Sequence, residues 1–161
     1  MNEAERLALV LLADCPSQLP IDVASIVAQQ GVIVDRHWFS SDAFCGYYGI
    51  FNGQPVITLN THQHERRQRF TMAHELYHHL TEYDRCKKGL VRFEMCQSAH
   101  RTANRFAAAL LMPKFAFALA FQHMTGFEEL ARHFDVSPTA AYVRAKELCL
   151  MNETIRREGI A

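Results

Sequence analysis

Apolar positions Leu7, Leu9, Val10, Leu11 and Leu12 suit a short first helix that ends near Pro16. The stretch from Asp22 to Gln30 carries Val23, Ile26 and Val27 at helical spacing. It stops at Gly31, the residue type that most easily takes the left-handed conformation closing a helix. The period then changes. Val32-Ile33-Val34 is β-branched, Tyr47 to Phe51 is apolar and aromatic, and Val56 to Leu59 follows Asn52-Gly53. Both residues of that pair accept positive φ, which makes it a hairpin signal. The three runs predict a small antiparallel sheet. After Asn60, an N-cap with Gln63 three residues on, the pattern is helical from about Gln63 to Thr81. A loop containing Asp84, Lys87, Lys88 and Gly89 leads to a helix from about Glu94 to Met112, ended by Pro113. Its alanines at 99, 103, 107, 108 and 109 permit close approach to a neighbour. Helices then follow over Lys114 to Met124, over Gly126 to Phe134 behind a Thr125 and Glu128 capping box, and over Pro138 to Leu150 behind Ser137.

The predicted fold class is α+β: a mostly helical domain with a small antiparallel sheet beside the helix that starts near Gln63. One domain is expected over residues 1–161, divided into N-terminal helices and hairpin (1–60), two central helices (61–113), C-terminal helices with a helix-turn-helix-like segment (114–150) and a polar tail (151–161). Composition changes this picture little. At 161 residues with 49% hydrophobic and 21% charged residues, the chain is an ordinary globular domain. A domain of this length buries roughly 70% of its unfolded surface, so it holds a core without metal or disulfides. A bound metal would therefore point to function. Seventeen basic residues balance seventeen acidic ones, which argues against a protein that lives by neutralising phosphates. Five cysteines, odd in number and with no CxxC, do not form a disulfide framework. The acidic start Met1-Asn2-Glu3-Ala4-Glu5-Arg6 and the lack of a long apolar run predict a cytoplasmic protein with no membrane association.

The chemistry is concentrated in Arg69-Phe70-Thr71-Met72-Ala73-His74-Glu75-Leu76-Tyr77-His78-His79-Leu80, which contains HExxH on a helix. Residues four apart share a helical face with Cβ atoms about 6 Å apart, so His74 and His78 can converge on one zinc ion. Glu75, one residue round, can take a proton from a water on that metal and return it to a leaving amine. A catalytic zinc generally takes a third protein ligand. The alanine-rich helix offers His100, with Asn104 one turn further on the same face. We read His100 as the third ligand and Asn104 as a group that orients a ligand or a nearby carbonyl. Glu94 is the fallback ligand, off that face by about 120°.

The HExxH stretch, followed by Ala103-Asn104-Arg105-Phe106-Ala107-Ala108-Ala109-Leu110-Leu111-Met112-Pro113, resembles the ImmA/IrrE family of metallopeptidases. The resemblance extends over roughly residues 20 to 150, including Pro20-Ile21-Asp22-Val23 upstream and Phe127 to Ser137 downstream. It implies a zincin-like fold, one zinc per chain and cleavage of a protein partner, a DNA-binding helix-turn-helix repressor, with Glu75 activating the attacking water. The family commonly has glutamate four residues before the asparagine of the second motif, where this chain has His100. Neutral imidazole binds zinc as carboxylate does, and makes the site more cationic.

Other features have plainer readings. His79 points away from His78 and reads as a partly exposed surface histidine. The basic run from Gln63 to Arg69 is a phosphate patch or, more simply, a solvated helix face with salt bridges. Cys86 and Cys96 flank a loop at no recognised zinc spacing. The segment from Phe127 to Leu150 has helix-turn-helix form, but Arg144 and Lys146 are the only clear basic residues of its second helix. Packing is therefore favoured over DNA reading, and direct DNA binding is disfavoured. Tyr77, Tyr83 and His123 are open candidates for stabilising an oxyanion. If the edge strand of the sheet borders the cleft, a substrate peptide could add to it as a further strand. Two other functional classes stay open: a non-proteolytic zinc-binding regulator acting through protein or DNA, and a hydrolase of small molecules. Oligomeric state is open.

Overall fold

The computed structural model describes residues 2–14, 18–87 and 97–151. The chain runs α1 (Glu3–Ala13), α2 (Val23–Gln29), β1 (Ile33–His37), β2 (Gly46–Phe51), β3 (Gln54–Asn60), α3 (Glu65–Lys87), α4 (Gln97–Leu111), α5 (Lys114–His123), α6 (Phe127–Phe134) and α7 (Pro138–Glu147). The 88–96 segment, which includes Glu94 and Cys96, lies outside the described residues, as does the tail from residue 152. The architecture is α+β, a helical domain with a three-stranded sheet against α3.

Local chemistry explains most boundaries. Asp22 caps α2 by accepting the Ser25 amide at 3.1 Å. Ser137 does the same for α7 through Ala140 N–H at 3.1 Å, with Pro138 in the first turn. Asn52 and Gly53 turn the β2–β3 hairpin with φ of 50° and 81°. Two predicted caps differ. Asn60 closes β3 and does not cap α3; its carboxamide accepts Phe39 N–H and His62 N–H and donates to the Ser41 and Phe44 carbonyls. Those bonds fix the 39–45 loop beside the sheet. The start of α3 falls to His64, whose Nδ1 accepts Arg66 N–H at 3.2 Å. At α6 it is Glu129, and not Glu128, whose carboxylate receives the Thr125 N–H and hydroxyl.

The sheet is mixed, and not purely antiparallel as its sequence suggested. Strand order is β1-β3-β2, with β2 antiparallel and β1 parallel to β3. The 38–45 connection reverses the chain and carries it to the far side of the place β3 will take, and the hairpin reverses it again, so β3 runs the same way as β1 and pairs between the two. Strand periodicity reveals which residues face the core but not which strands are neighbours. β3 is central, and Ile57, Thr58, Leu59 and Asn60 are all buried. β2 is left as an edge strand packed on α3. The core joins Ile57 and Leu59 to Met72, Ala73 and Leu76 of α3, to Phe106, Leu110 and Leu111 of α4, and to Val23, Ile26 and Val27 of α2. Small residues set the closest approaches: Ala4 and Ala8 of α1 are buried against α4, which presents Ala103 and Ala107 to the core.

Gly46 marks where β2 meets α3. A Cβ there would lie 2.5 Å from the Thr58 carbonyl oxygen and 2.9 Å from Thr71 Cγ2. The first neighbour is backbone of the central strand and cannot give way cheaply. Gly46→Ala should therefore destabilise the domain by about 1–3 kcal/mol, as overpacking does. Urea denaturation measures it, and an unchanged midpoint would show that the strand shifts freely. Among the described residues no single helix is long and apolar enough to cross a membrane.

Candidate metal centre

The HExxH segment occupies the middle of α3, clamped between the sheet and α4, so its two histidines have one direction in which to project. His74 Nε2 and His78 Nε2 lie 3.2 Å apart. His100, near the start of α4, brings its Nδ1 to 3.3 Å from His74 Nε2. The three ligand atoms lie within 4.8 Å of one another. A tetrahedral ion at about 2.1 Å from each nitrogen requires edges of about 3.4 Å, close to two of these distances. The third edge closes by a small movement of His100, which is exposed. The donor set and its geometry thus fit a zinc ion.

Two further groups face the rear of the imidazoles. Asn104 Oδ1 sits 2.8 Å from His74 Nδ1. A carboxamide oxygen only accepts, so Nδ1 carries the proton and the Nε2 lone pair points into the cluster. Glu82 Oε2 lies 3.7 Å from His78 Nδ1, an electrostatic contact longer than a hydrogen bond. Burial, opposed by the Asn104 bond and assisted by His100 and Arg67, lowers the His74 pKa to about 4. Neutral imidazole is the form that binds metal.

Glu75 is 9% exposed, next to the cluster. Burial raises its pKa to about 8; repulsion from Glu82 acts in the same direction, and a hydrogen bond from the Tyr48 backbone amide opposes it. A nearby dication would also oppose it. The Tyr48 contact ties the carboxylate to strand β2, and the Tyr48 hydroxyl in turn reaches His79 Nδ1 at 2.9 Å. His79, expected as a surface histidine, is a half-buried link between α3 and the sheet.

His74, Glu75, His100 and Asn104 line an open cleft of about 790 Å³. One wall is Phe44, Cys45 and Gly46, leading into the edge strand; the opposite wall is α7, through Ala140 and Val143, and Arg66 and Arg67 stand at the start of α3. Of the oxyanion candidates, Tyr77 packs its ring on His78 and Phe106 and does not line the cleft, nor does His123. The side chains of Tyr83 and Cys86 lie outside the described residues. Sequence reasoning missed Glu82 and the Tyr48 amide. Glu82 was within reach, since it repeats the four-residue spacing of His74 and His78. The Tyr48 contact is long-range and left no local signal.

An HExxH helix backed by a small sheet, with a third histidine delivered by the next helix, defines a metallopeptidase-like domain. The chain belongs to the Peptidase M78 family: the family's IrrE N-terminal-like domain matches residues 18–146. No curated protein gives a significant sequence match. Among solved structures, a Mycobacterium tuberculosis transcriptional regulator superposes with a TM-score of 0.62 at 18% identity, over 88% of this chain and 45% of that one. The likeness is one of fold, and the chain spans less than half the length of that regulator.

Proposed function

We propose that the protein is a zinc-dependent endopeptidase, a cytoplasmic enzyme that hydrolyses a peptide bond in a protein partner, and that the partner is a DNA-binding helix-turn-helix repressor. The observation that carries the hydrolytic reading is the placement of Glu75 beside three converging imidazoles at the wall of an open cleft. The choice of a repressor rests on the family resemblance. Zinc bound by His74, His78 and His100 supplies Lewis-acid polarisation of the scissile carbonyl and a water of lowered pKa. Glu75 accepts the proton of the attacking water and returns it to the leaving amine. Asn104 holds His74 in the tautomer that ligation needs, and the Glu82 carboxylate adds negative charge behind His78. The cleft meets the sheet at Gly46, the first residue of edge strand β2. A substrate segment lying along that edge gains backbone hydrogen bonds, and its side chains alternate between the cleft and solvent.

Elemental analysis of purified wild type and His100→Ala tests the metal site directly. About one zinc per chain is expected in wild type, and strongly weakened retention in the variant. In cells producing each form, profiling of protein N-termini should reveal a new terminus inside a DNA-binding repressor with wild type alone. Zinc retained at full affinity by His100→Ala would move the third ligand elsewhere. A loaded wild type that generates no new terminus would favour the non-proteolytic regulator.

A further inference from the structure

Three arginines stand in the first turns of α3, and their charges are not equally compensated. Arg66 Nε lies 3.3 Å from Asp135 Oδ1, and Arg69 Nε lies 3.0 Å from Asp135 Oδ2. Both guanidiniums therefore anchor the turn between α6 and α7. Among the described residues Arg67 has no carboxylate partner. Its Nε and Nη2 both point at the Cys45 sulfur at 3.4 Å, a weak acceptor. That pair lines the cleft near His74 and Glu75. Of the other charged lining residues, Glu147 is already engaged by Arg105 at 3.7 Å and Arg144 at 3.8 Å, and Glu75 is buried. The cleft is also lined by the apolar side chains of Phe44, Phe70 and Val143. Among the described residues the cleft thus carries one exposed cation without a carboxylate partner, bound to the Cys45 sulfur, and apolar side chains in the same lining.

We infer that Arg67 is a specificity-determining residue: it selects peptide substrates that place an acidic side chain, with its aliphatic stem on the apolar wall, beside the metal centre. The guanidinium fork exchanges its contacts to sulfur for charge-assisted bonds to a carboxylate, which are shorter and about twice as strong as neutral ones. Lysine at the same substrate position would meet a like charge. This inference rests on the peptidase reading for its biological meaning, but Arg67 can be tested by binding alone.

The test uses the zinc-loaded Glu75→Gln chain and three pools of fluorescein-labelled, C-terminally amidated dodecapeptides. Each pool fixes one central residue as Glu, Gln or Lys and draws the others from uncharged residues; amidation removes the terminal carboxylate as a rival ligand. Fluorescence anisotropy should show the Glu pool binding about tenfold more tightly than the Gln pool, and the Lys pool weakest. Adding Arg67→Gln should abolish the difference, and Arg67→Glu should reverse it. Arg132→Gln, at an exposed position away from the cleft, should preserve it. Equal binding of the pools, absence of binding, or a preference that survives Arg67→Gln overturns the assignment. Wild-type protein incubated with the same pools separates the two ideas. Acid-selective binding without cleavage leaves Arg67 standing and removes the peptidase reading. Cleavage without charge selectivity does the reverse.

Discussion

Glu75→Gln is expected to lower peptide-bond cleavage by about 10²–10⁴-fold, the range that a positioned general base contributes, while leaving zinc content unchanged. The amide matches the carboxylate in size and can still accept the Tyr48 amide hydrogen bond. It cannot take a proton from water. The three imidazoles are untouched, so metal retention should match wild type, and this separates loss of chemistry from loss of the site. Folding should also survive, because a neutral side chain replaces a carboxyl that burial already disfavours in its charged form. Turnover of the partner identified by N-terminal profiling, measured with zinc content and thermal unfolding on the same preparations, provides the check. Cleavage within a few-fold of wild type would show that another group moves the proton. Loss of zinc together with activity would assign Glu75 a role in holding the metal.

The legible part of this protein is the part written in short spacings. HExxH declares its geometry because four residues make nearly one helical turn, and His100 with Asn104 repeats that interval on α4. Asn52-Gly53, Asp22 and Ser137 act within three or four residues of themselves, so the hairpin and two helix starts could be read directly. Asn60 shows the boundary of such reading. Its type suits an N-cap, yet the fold surrounds it with loop carbonyls and amides of the 39–45 segment, contacts that span sixteen or more residues. The purely antiparallel reading of the sheet failed for the same reason, because β1 pairs in parallel with β3 across the whole of β2. The basic run of α3 divides in three dimensions: the turn-bound Arg66 and Arg69 are structural, and Arg67 faces the cleft. Only Asp135, more than sixty residues on, makes that distinction.

Arg144 supplies the largest expected effect on stability, and it acts through its partner. As one of the two basic residues in the second helix of the helix-turn-helix-like segment, it would be a phosphate contact in a DNA reader. Here it is 1% exposed, so it cannot serve as one. Its Nη1 and Nη2 engage both carboxylate oxygens of Glu5, and its Nε donates to the Met112 carbonyl at 3.0 Å. One side chain thereby fastens α7 to α1 and to the end of α4. The two ends of the pair differ in access to water: the Glu5 side chain is 16% exposed and the Arg144 side chain is 1% exposed. Removing Glu5 strands a buried cation that cannot lose its proton. Removing Arg144 leaves a carboxylate able to turn toward solvent. Glu5→Ala should therefore cost about 3–5 kcal/mol, the range for breaking a buried pair from one side. The lower end is favoured because Glu147 remains 3.8 Å from the guanidinium. Arg144→Met, which fills the space with an apolar chain, should cost less, and the double variant should be more stable than Glu5→Ala alone. Urea denaturation of the three variants decides it. Equal losses for the two single variants would mean that packing around the guanidinium stem, and not the stranded charge, sets the stability of this junction.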